Sequence, residues 1–388
     1  MNKIKICRTA TVAYYMVAQL KRQAEYLRDN GMEVLLVSSD GPELSELAVG
    51  RGLEHSIIEI PRAISPWRDL RAFVRLLTLF LRHRFDIVHS TTPKAGLLTA
   101  VAARLAGIPV RLHTFTGQQW VTLSGPTRIL SRFADKVIGA LNTRCYADSS
   151  SQADFLIDEG IIPAHKIDVI GHGSLAGVDL ERFDAAHISD TERSSMRHSL
   201  SIPPDAMVFV FIGRVTRDKG IRELLSSFSI LQSEDYNAEL LLIGPLDEEC
   251  GGIGSISREE VERCPKVHYI GYVKNPEQYL AISDVMCLPS YREGFGTVVI
   301  EAAAMGVPTI GTRINGLTDA IADHESGILV PPRDTEALHD AMKEILENPD
   351  LLLRLKQSAK QRCERLFDAK TVNNLVYQEY ERLLAITD

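Results

Sequence analysis

The feature that most limits the fold of this chain is a repeated alternation of short apolar runs with longer helical stretches. The runs "KIKICRT", "EVLLVSS", "FDIVHST", "PVRLHTF" and "TRCYADS" are each followed by a helix-like segment. The habit returns with "MVFVFIGRV", "AELLLIG", "VHYIGYV", "VMCLPS" and "PTIGT". Such alternation fits parallel strands with helices on both faces of the sheet. The sequence therefore predicts an α/β protein with two Rossmann-like, doubly wound parallel sheets. The boundary is expected near "GHGSLAGVDLERFDAAH", where glycines cluster and the charge changes sign. That gives a first domain over 1–180 and a second over 181–370. Helices are expected over Tyr15–Asn30 and across 334–385. In open sheets of this kind ligands bind beyond the C-terminal ends of the strands. Two such domains facing each other make a cleft, so chemistry is expected on the strand-end loops.

Composition narrows the class. With 388 residues, 45% hydrophobic and 24% charged, the chain can fill two cores and does not read as disordered. No run approaches the ~18–20 apolar residues of a membrane span. The opening "MNKIKICRTATVAYYMVAQL" runs straight into "KRQAEYLRDNG" and reads as a first strand and helix rather than a removed leader. Six cysteines without a CxxC pair fit reduced thiols in a cytoplasmic protein. Residues 1–180 hold 21 Lys/Arg against 17 Asp/Glu, and residues 181–388 hold 22 against 34. The first half can therefore face something anionic, either a membrane surface or a phosphate-bearing ligand. Its excess is too small, and too little interleaved with aromatics, for nucleic acid.

Three features point to a phosphate site. In "FIGRVTRDKG" a strand ends at Gly213 and Arg214, and Lys219 follows at a helix start. A planar fork and a compact point charge suit a diphosphate, although surface cations after a strand are also common. In "SYREGFGTVVIEAAAMG" the turn Gly294, Phe295, Gly296 precedes a helix beginning at Thr297. Glycines let backbone approach a ligand, and the free N–H groups of a helix start attract an anion. Glu301 lies five residues on, ~7 Å along the axis at 1.5 Å per residue. With a pyrophosphate at the helix start, Glu301 is placed for ribose hydroxyls. Glu293, ahead of the turn, is placed for the other end of the ligand. Finally, no Asp-x-Asp, HExxH or CxxC occurs, so no metal and no other cofactor is expected. Cations and backbone dipoles would carry the leaving-group charge instead.

"GRVTRDKG" and "EGFGTVVIEAAAMGVP", with "VHSTTPKAGLL", "RLHTFTGQQW" and "GVDLERF", resemble the retaining family 4 glycosyltransferases of the GT-B fold. The likeness spans nearly the whole chain and is nearest to members that elongate bacterial polysaccharides or lipid-linked oligosaccharides. It implies that Arg214 and Lys219 hold the donor diphosphate, Glu293 the sugar and Glu301 the ribose. It also implies a last helix, 371–388, packing back on the first domain. The chain departs from the family in two places. The loop after the first strand is "RTATVAYY" rather than a Gly-Gly turn, leaving Thr9 to Thr11 to serve there. Thr116 stands just before Gly117 where many relatives carry His, and His113 lies three positions earlier.

On the acceptor side, Pro93 and Lys94 open a helix and make a second candidate anion site. Thr116, Gly117, Gln118 and Trp120 are candidates to line an acceptor sugar, with Trp120 equally placed for the core. His113 is either an acceptor-side group or a structural strand-end histidine. In "SPWRDLRAFVRLLTLFLRHRF" (65–85), Leu70, Phe73, Val74, Leu77 and Leu81 fall within about 100° of helical arc. Arg68, Arg71, Arg75 and Arg82 fall within about 60° on another face. Such a helix either lies on anionic lipid or packs its apolar stripe on the sheet. The expected activity is retaining, metal-independent transfer of a hexose or N-acetylhexosamine from a nucleotide sugar, UDP-linked by preference. The acceptor expected is a glycan on a polyprenyl diphosphate, at the inner face of the cell membrane. No carboxylate pair at the ~5 Å spacing of a retaining glycosidase can be nominated, which favours a front-face route. A nucleotide-sugar epimerase and a non-catalytic nucleotide-sugar-binding protein are the rivals.

Overall fold

The computed structural model describes residues 3–48, 52–246 and 256–387. The chain divides into two compact units, 1–177 with 370–388, and 178–369. The division thus falls at Gly177/Val178 rather than 180/181, and the returning segment starts at Lys370 rather than 371. Backbone pairing fixes both points. The Val178 N–H donates to Phe367 O at 2.7 Å, and the Ala369 N–H donates to Val178 O at 2.9 Å. The chain entering the second unit is therefore zipped to the chain leaving it.

The first unit holds seven parallel strands in the order β3-β2-β1-β4-β5-β6-β7. They are β1 (Lys5–Thr9), β2 (Glu33–Ser38), β3 (Glu54–Ile57), β4 (Ile87–Thr91), β5 (Val110–Phe115), β6 (Arg144–Ala147) and β7 (Ile167–Asp168). Side chains alternate across the sheet, as strand geometry requires. Ile6 faces a core shared with α1 (Lys21–Asp29), and Cys7 faces the opposite one. That opposite face carries α2 (Pro66–His83), α3 (Pro93–Leu105) and α4 (Gly125–Leu141), with α3 packed between the other two. The first helical segment starts at Ala13, passes through a π-helical turn at Met16–Leu20 and ends at Asp29.

The second unit holds six parallel strands in the order β10-β9-β8-β11-β12-β13. They are β8 (Met207–Ile212), β9 (Ala238–Ile243), β10 (Val267–Gly271), β11 (Val285–Leu288), β12 (Thr309–Thr312) and β13 (Gly327–Val330). Its central strands are buried on both faces, so they read as continuous apolar runs. From β8 the chain runs outward one way through β9 and β10, then returns to lay β11 on the other side of β8. The helices α5 (Ile221–Ser233) and α6 (Thr297–Ala304) follow β8 and β11. After β13 come Thr335–Glu347, Pro349–Leu366 and α7 (Ala369–Thr387). Residues 370–388, which make up nearly all of α7, belong to the first unit, where Val376 and Tyr380 are buried beside Ile6 and Ile87.

The apolar stripe expected on α2 is not the face that packs on the sheet. The structure buries Ala72, Leu76 and Phe80 and leaves Leu70, Val74 and Leu81 each at least half exposed. Phe73 and Leu77 flank the packed face. Leucines and aromatics surround most of this helix, so periodicity alone did not fix its phase. Among the described residues no helix is long and apolar enough to cross a membrane.

Candidate functional site

Strand order in the second unit makes the site. β8 and β11 are neighbours whose onward connections diverge, and ligands of doubly wound sheets bind at such a switch point. The loop after β8 carries Arg214 and Lys219, and the loop after β11 carries Glu293. Gly220 lets the two loops touch. It adopts φ 69°, and a Cβ there would stand 2.0 Å from the Pro289 carbonyl oxygen. The Tyr291 N–H also donates to Asp218 O at 2.9 Å.

Lys219 Nζ consequently reaches Glu293 Oε1 at 2.5 Å, and both side chains are largely withdrawn from solvent. Ser290 Oγ donates to the same oxygen at 2.7 Å, fixing the carboxylate. Arg214 is about half exposed and stands 3.6 Å from Asp218 Oδ2, with Arg292 3.8 Å from that oxygen. Burial pushes the Asp218 carboxyl up. The Thr216 hydroxyl, then Arg214, Lys219 and Arg292, outweigh that and hold it below the usual range. Three cations thus gather around one carboxylate, and Arg214 keeps half its surface open to an incoming anion.

The turn behind Glu293 is shaped by backbone contact. Gly296 caps α6 at φ 84°, and a Cβ on Gly316 would meet Gly294 O at 2.5 Å. Phe295 differs from expectation. Its ring is buried in the core and packs edge-on to Phe367 at 5.2 Å, so only its backbone is left for a ligand. Thr297 begins α6. Glu301 is partly buried one turn on. Desolvation raises its carboxyl to about 7, Arg182 opposing and Glu277 adding to the rise. A carboxyl that titrates there can accept from, or donate to, a hydroxyl.

The first unit places its candidates differently. Thr9 is fully buried, and its hydroxyl is paired with Thr99 at 2.9 Å, so its side chain does not line a site. Lys94 is not a free cation. Its Nζ lies 2.7 Å from Asp69 Oδ1 and donates to Ala63 O at 2.5 Å, bracing the start of α2 against that of α3. His113 is a core residue. It contacts Ser90 Oγ at 2.9 Å, and a Cβ on Gly96 would stand 2.4 Å from its ring. Burial lowers its pKa to about 3, so it is neutral and out of reach as a base. Trp120 is also core, donating to Asp135 at 2.8 Å and stacked on Phe155. Of the expected group, Thr116 and Gly117 keep partial exposure. Gln118 is buried with its Oε1 accepting from Gln152.

A buried polar cluster at the ends of β1, β4 and β5 escaped the sequence reading. Arg8 Nη1 donates to Gln23 and to Tyr380 Oη, and Tyr380 Oη contacts His89 Nδ1 at 2.6 Å. His89 Nε2 meets Thr114 at 2.7 Å. Beside it lies a cavity of about 20 Å³ bordered by Gln23, His89, Thr114, Asp148 and Ser174, room for an ordered water. Burial pushes the Asp148 carboxyl up to about 7. Asp218, Ser290 and Arg292 were also missed. All three lie within or beside the quoted phosphate motifs, and only the folded loops show which of them face Lys219 and Glu293.

Cations and a helix start, both suited to phosphate, thus meet at the switch point of a doubly wound unit. The comparisons name the class. The family model described as "Glycosyl transferases group 1" matches residues 192–362, and "Glycosyl transferase 4-like domain" matches 16–173. The chain is 31% identical to the capsular polysaccharide biosynthesis glycosyltransferase CapM of Staphylococcus aureus, over 99% of this chain and 97% of that one. It is 23% identical to an Escherichia coli UDP-Gal:alpha-D-GlcNAc-diphosphoundecaprenol alpha-1,3-galactosyltransferase, covering 86% and 85%. Among solved structures, Anabaena Alr3699/HepE in complex with UDP and glucose matches at TM-score 0.79 and 18% identity, covering 97% and 99%. The chain belongs to the family 4 glycosyltransferases and has their GT-B fold of two Rossmann-like domains. It is a glycosyltransferase.

Proposed function

We propose that this enzyme transfers a hexose or N-acetylhexosamine, with retention of configuration, from a UDP-linked donor to a glycan on a polyprenyl diphosphate. The product would be a growing cell-surface polysaccharide. The observation that carries this reading is the Lys219–Glu293 contact, with Arg214 alongside, at the junction of β8 and β11. Departure of a nucleoside diphosphate leaves charge on a phosphate oxygen. Arg214, Lys219 and the start of α6 are the groups to stabilise it, with no divalent ion required. Glu293, held by Ser290, is then the group facing the sugar, and Glu301 the partner of the ribose.

The acceptor and nucleotide follow the relatives, which include an enzyme named for UDP-Gal and a diphosphoundecaprenol acceptor. Acceptor contacts fall to the loop at Thr116 and Gly117, and membrane contact to 65–85. The test is a donor screen reading released UDP or GDP against polyprenyl-linked and soluble acceptors, with and without EDTA. UDP release that needs the lipid-linked acceptor and survives EDTA supports the reading. Turnover that EDTA abolishes and manganese restores overturns its metal-free part. A changed sugar without acceptor would mean an epimerase.

A further inference from the structure

Arg333 stands in a backbone conformation that its side chain disfavours. It lies in the turn after β13, between Pro332 and Asp334, and adopts φ 63°. In the left-handed region a Cβ crowds the following carbonyl oxygen, so any residue but glycine costs stability there. The turn is nevertheless firmly built. Asp334 Oδ1 accepts from the Ala337 N–H at 2.9 Å and caps the helix Thr335–Glu347. Ser227 Oγ of α5 donates to Thr335 O at 2.7 Å. A strained residue persists where its surroundings over-determine it, and such residues gather at functional sites.

The side chain of Arg333 covers Tyr291. Its guanidinium carbon sits 4.6 Å from the centre of the Tyr291 ring, a cation–π contact. Tyr291 is half-buried in the loop after β11, two positions before Glu293. It ties that loop to the neighbouring one through both its backbone and its side chain. The Tyr291 N–H donates to Asp218 O at 2.9 Å, and the hydroxyl donates to Glu223 Oε1 at 2.5 Å in the first turn of α5. Lys219 lies between those two partners in the chain. Glu223 Oε2 is buried and takes no hydrogen bond among the described residues, so this carboxylate leans on the phenol. Burial and Glu223 raise the Tyr291 hydroxyl to about 12, Arg333 and Arg217 opposing, so it remains a donor at neutral pH.

We infer that Arg333 is a positioning residue for Lys219 and Glu293: stacked on Tyr291, it clamps the loop after β11 onto the start of α5. The loops after β8, β11 and β13 then hold one ion pair between them, and Arg333 acts on it through Tyr291. That the pair serves transfer is the reading proposed above, on which the clamp's effect on turnover rests.

The test compares Arg333→Gly and Arg333→Lys in the full chain. Glycine adopts φ 63° freely, which offsets the lost contact, so the urea midpoint of Arg333→Gly should stay close to that of the wild type. Amide exchange in the peptide holding Tyr291 and Glu293, read by mass spectrometry, should quicken about two- to fivefold, the factor such a contact is worth. Turnover is read as UDP released from UDP-glucose or UDP-N-acetylglucosamine with a polyprenyl-linked acceptor. Its kcat should fall about tenfold while the donor KM moves less than about twofold. Arg333→Lys keeps a cation over the ring and should recover most of the loss. In a Lys219→Ala background, Arg333→Gly should lower kcat no further. A donor KM that rises with kcat unchanged would make Arg333 a ligand contact and overturn the proposal. So would a full kcat loss in the Lys219→Ala background, or unchanged exchange around Tyr291. If Lys219→Ala keeps its kcat while Arg333→Gly still quickens that exchange, the catalytic reading of the pair fails and the clamp stands.

Discussion

Glu293 and Lys219 lie 74 positions apart in sequence and 2.5 Å apart in space. On the proposed function, an incoming diphosphate would compete for Lys219 and leave the Glu293 carboxylate to a sugar hydroxyl. Arg214→Ala and Lys219→Ala should therefore lower kcat by about 10²-fold or more, as loss of a transition-state charge partner does. A rise in KM alone would assign them to ground-state binding. Glu301 makes a pH prediction. Its folded-state pKa is raised from 4.5 to about 7, so the folded chain holds the proton more tightly than the unfolded one. Stability from this group is complete below about 4.5 and falls as pH rises to about 7. Glu301→Gln should melt higher than the wild type at pH 8, by a few degrees on the order expected for a domain this size. The difference should vanish near pH 4, and calorimetry at the two pH values checks it. Arg214 and Glu293 were legible as motif residues on the loops that follow β8 and β11. Of the two readings of His113 the structural one holds, while Thr9 and Lys94 differ from expectation because which face a strand-end residue takes, and who neutralises a lysine, are decided by tertiary neighbours.

Among the elements, the parallel strands were readable where burial on both faces makes them continuously apolar, as in "MVFVFI" and "AELLLI". β3, β7 and β13 were not singled out. β3 is a largely exposed edge strand of mixed polarity, β7 has two residues, and β13 is a four-residue edge. The phase of α2 was lost because its apolar residues cover more than one face. A glycine decides the closest element contact. Gly220→Ala would place a methyl against Pro289 O and force a side chain into the left-handed region, which alone costs about 1–2 kcal/mol. Relief of the clash must move Pro289, and with it Ser290 and Glu293. The expected result is lower stability of the second unit in urea, together with a kcat deficit like that of Lys219→Ala. A variant that loses stability but keeps full kcat would show that the two loops need not touch.

For the whole molecule, the notable point is that the first unit is completed by the end of the chain. Val376 and Tyr380 of α7 sit in the core with Ile6, Leu36 and Ile87. Tyr380 Oη is the common partner of Arg8 and His89, and Glu379 accepts from the Tyr146 hydroxyl at 2.5 Å. Arg8 is a fully buried guanidinium, and removing a partner from a buried charge is costly. The returning helix was expected from family likeness, but the buried cation it satisfies was not visible, since "KICRT" reads as an ordinary strand. Both tryptophans lie in the first unit, so their fluorescence follows that unit alone. Tyr380→Phe keeps the ring and removes only the hydroxyl. It should destabilise the first unit by about 1–3 kcal/mol, the cost of buried polar groups left unpaired. Deleting 370–388 removes the hydroxyl and the apolar face together, and should leave the first unit unfolded by tryptophan emission at room temperature. The β8–β13 unit holds its own core and should keep its cooperative melt by calorimetry. If the truncated chain instead keeps a native tryptophan spectrum, α7 is an accessory to a first unit that folds without it.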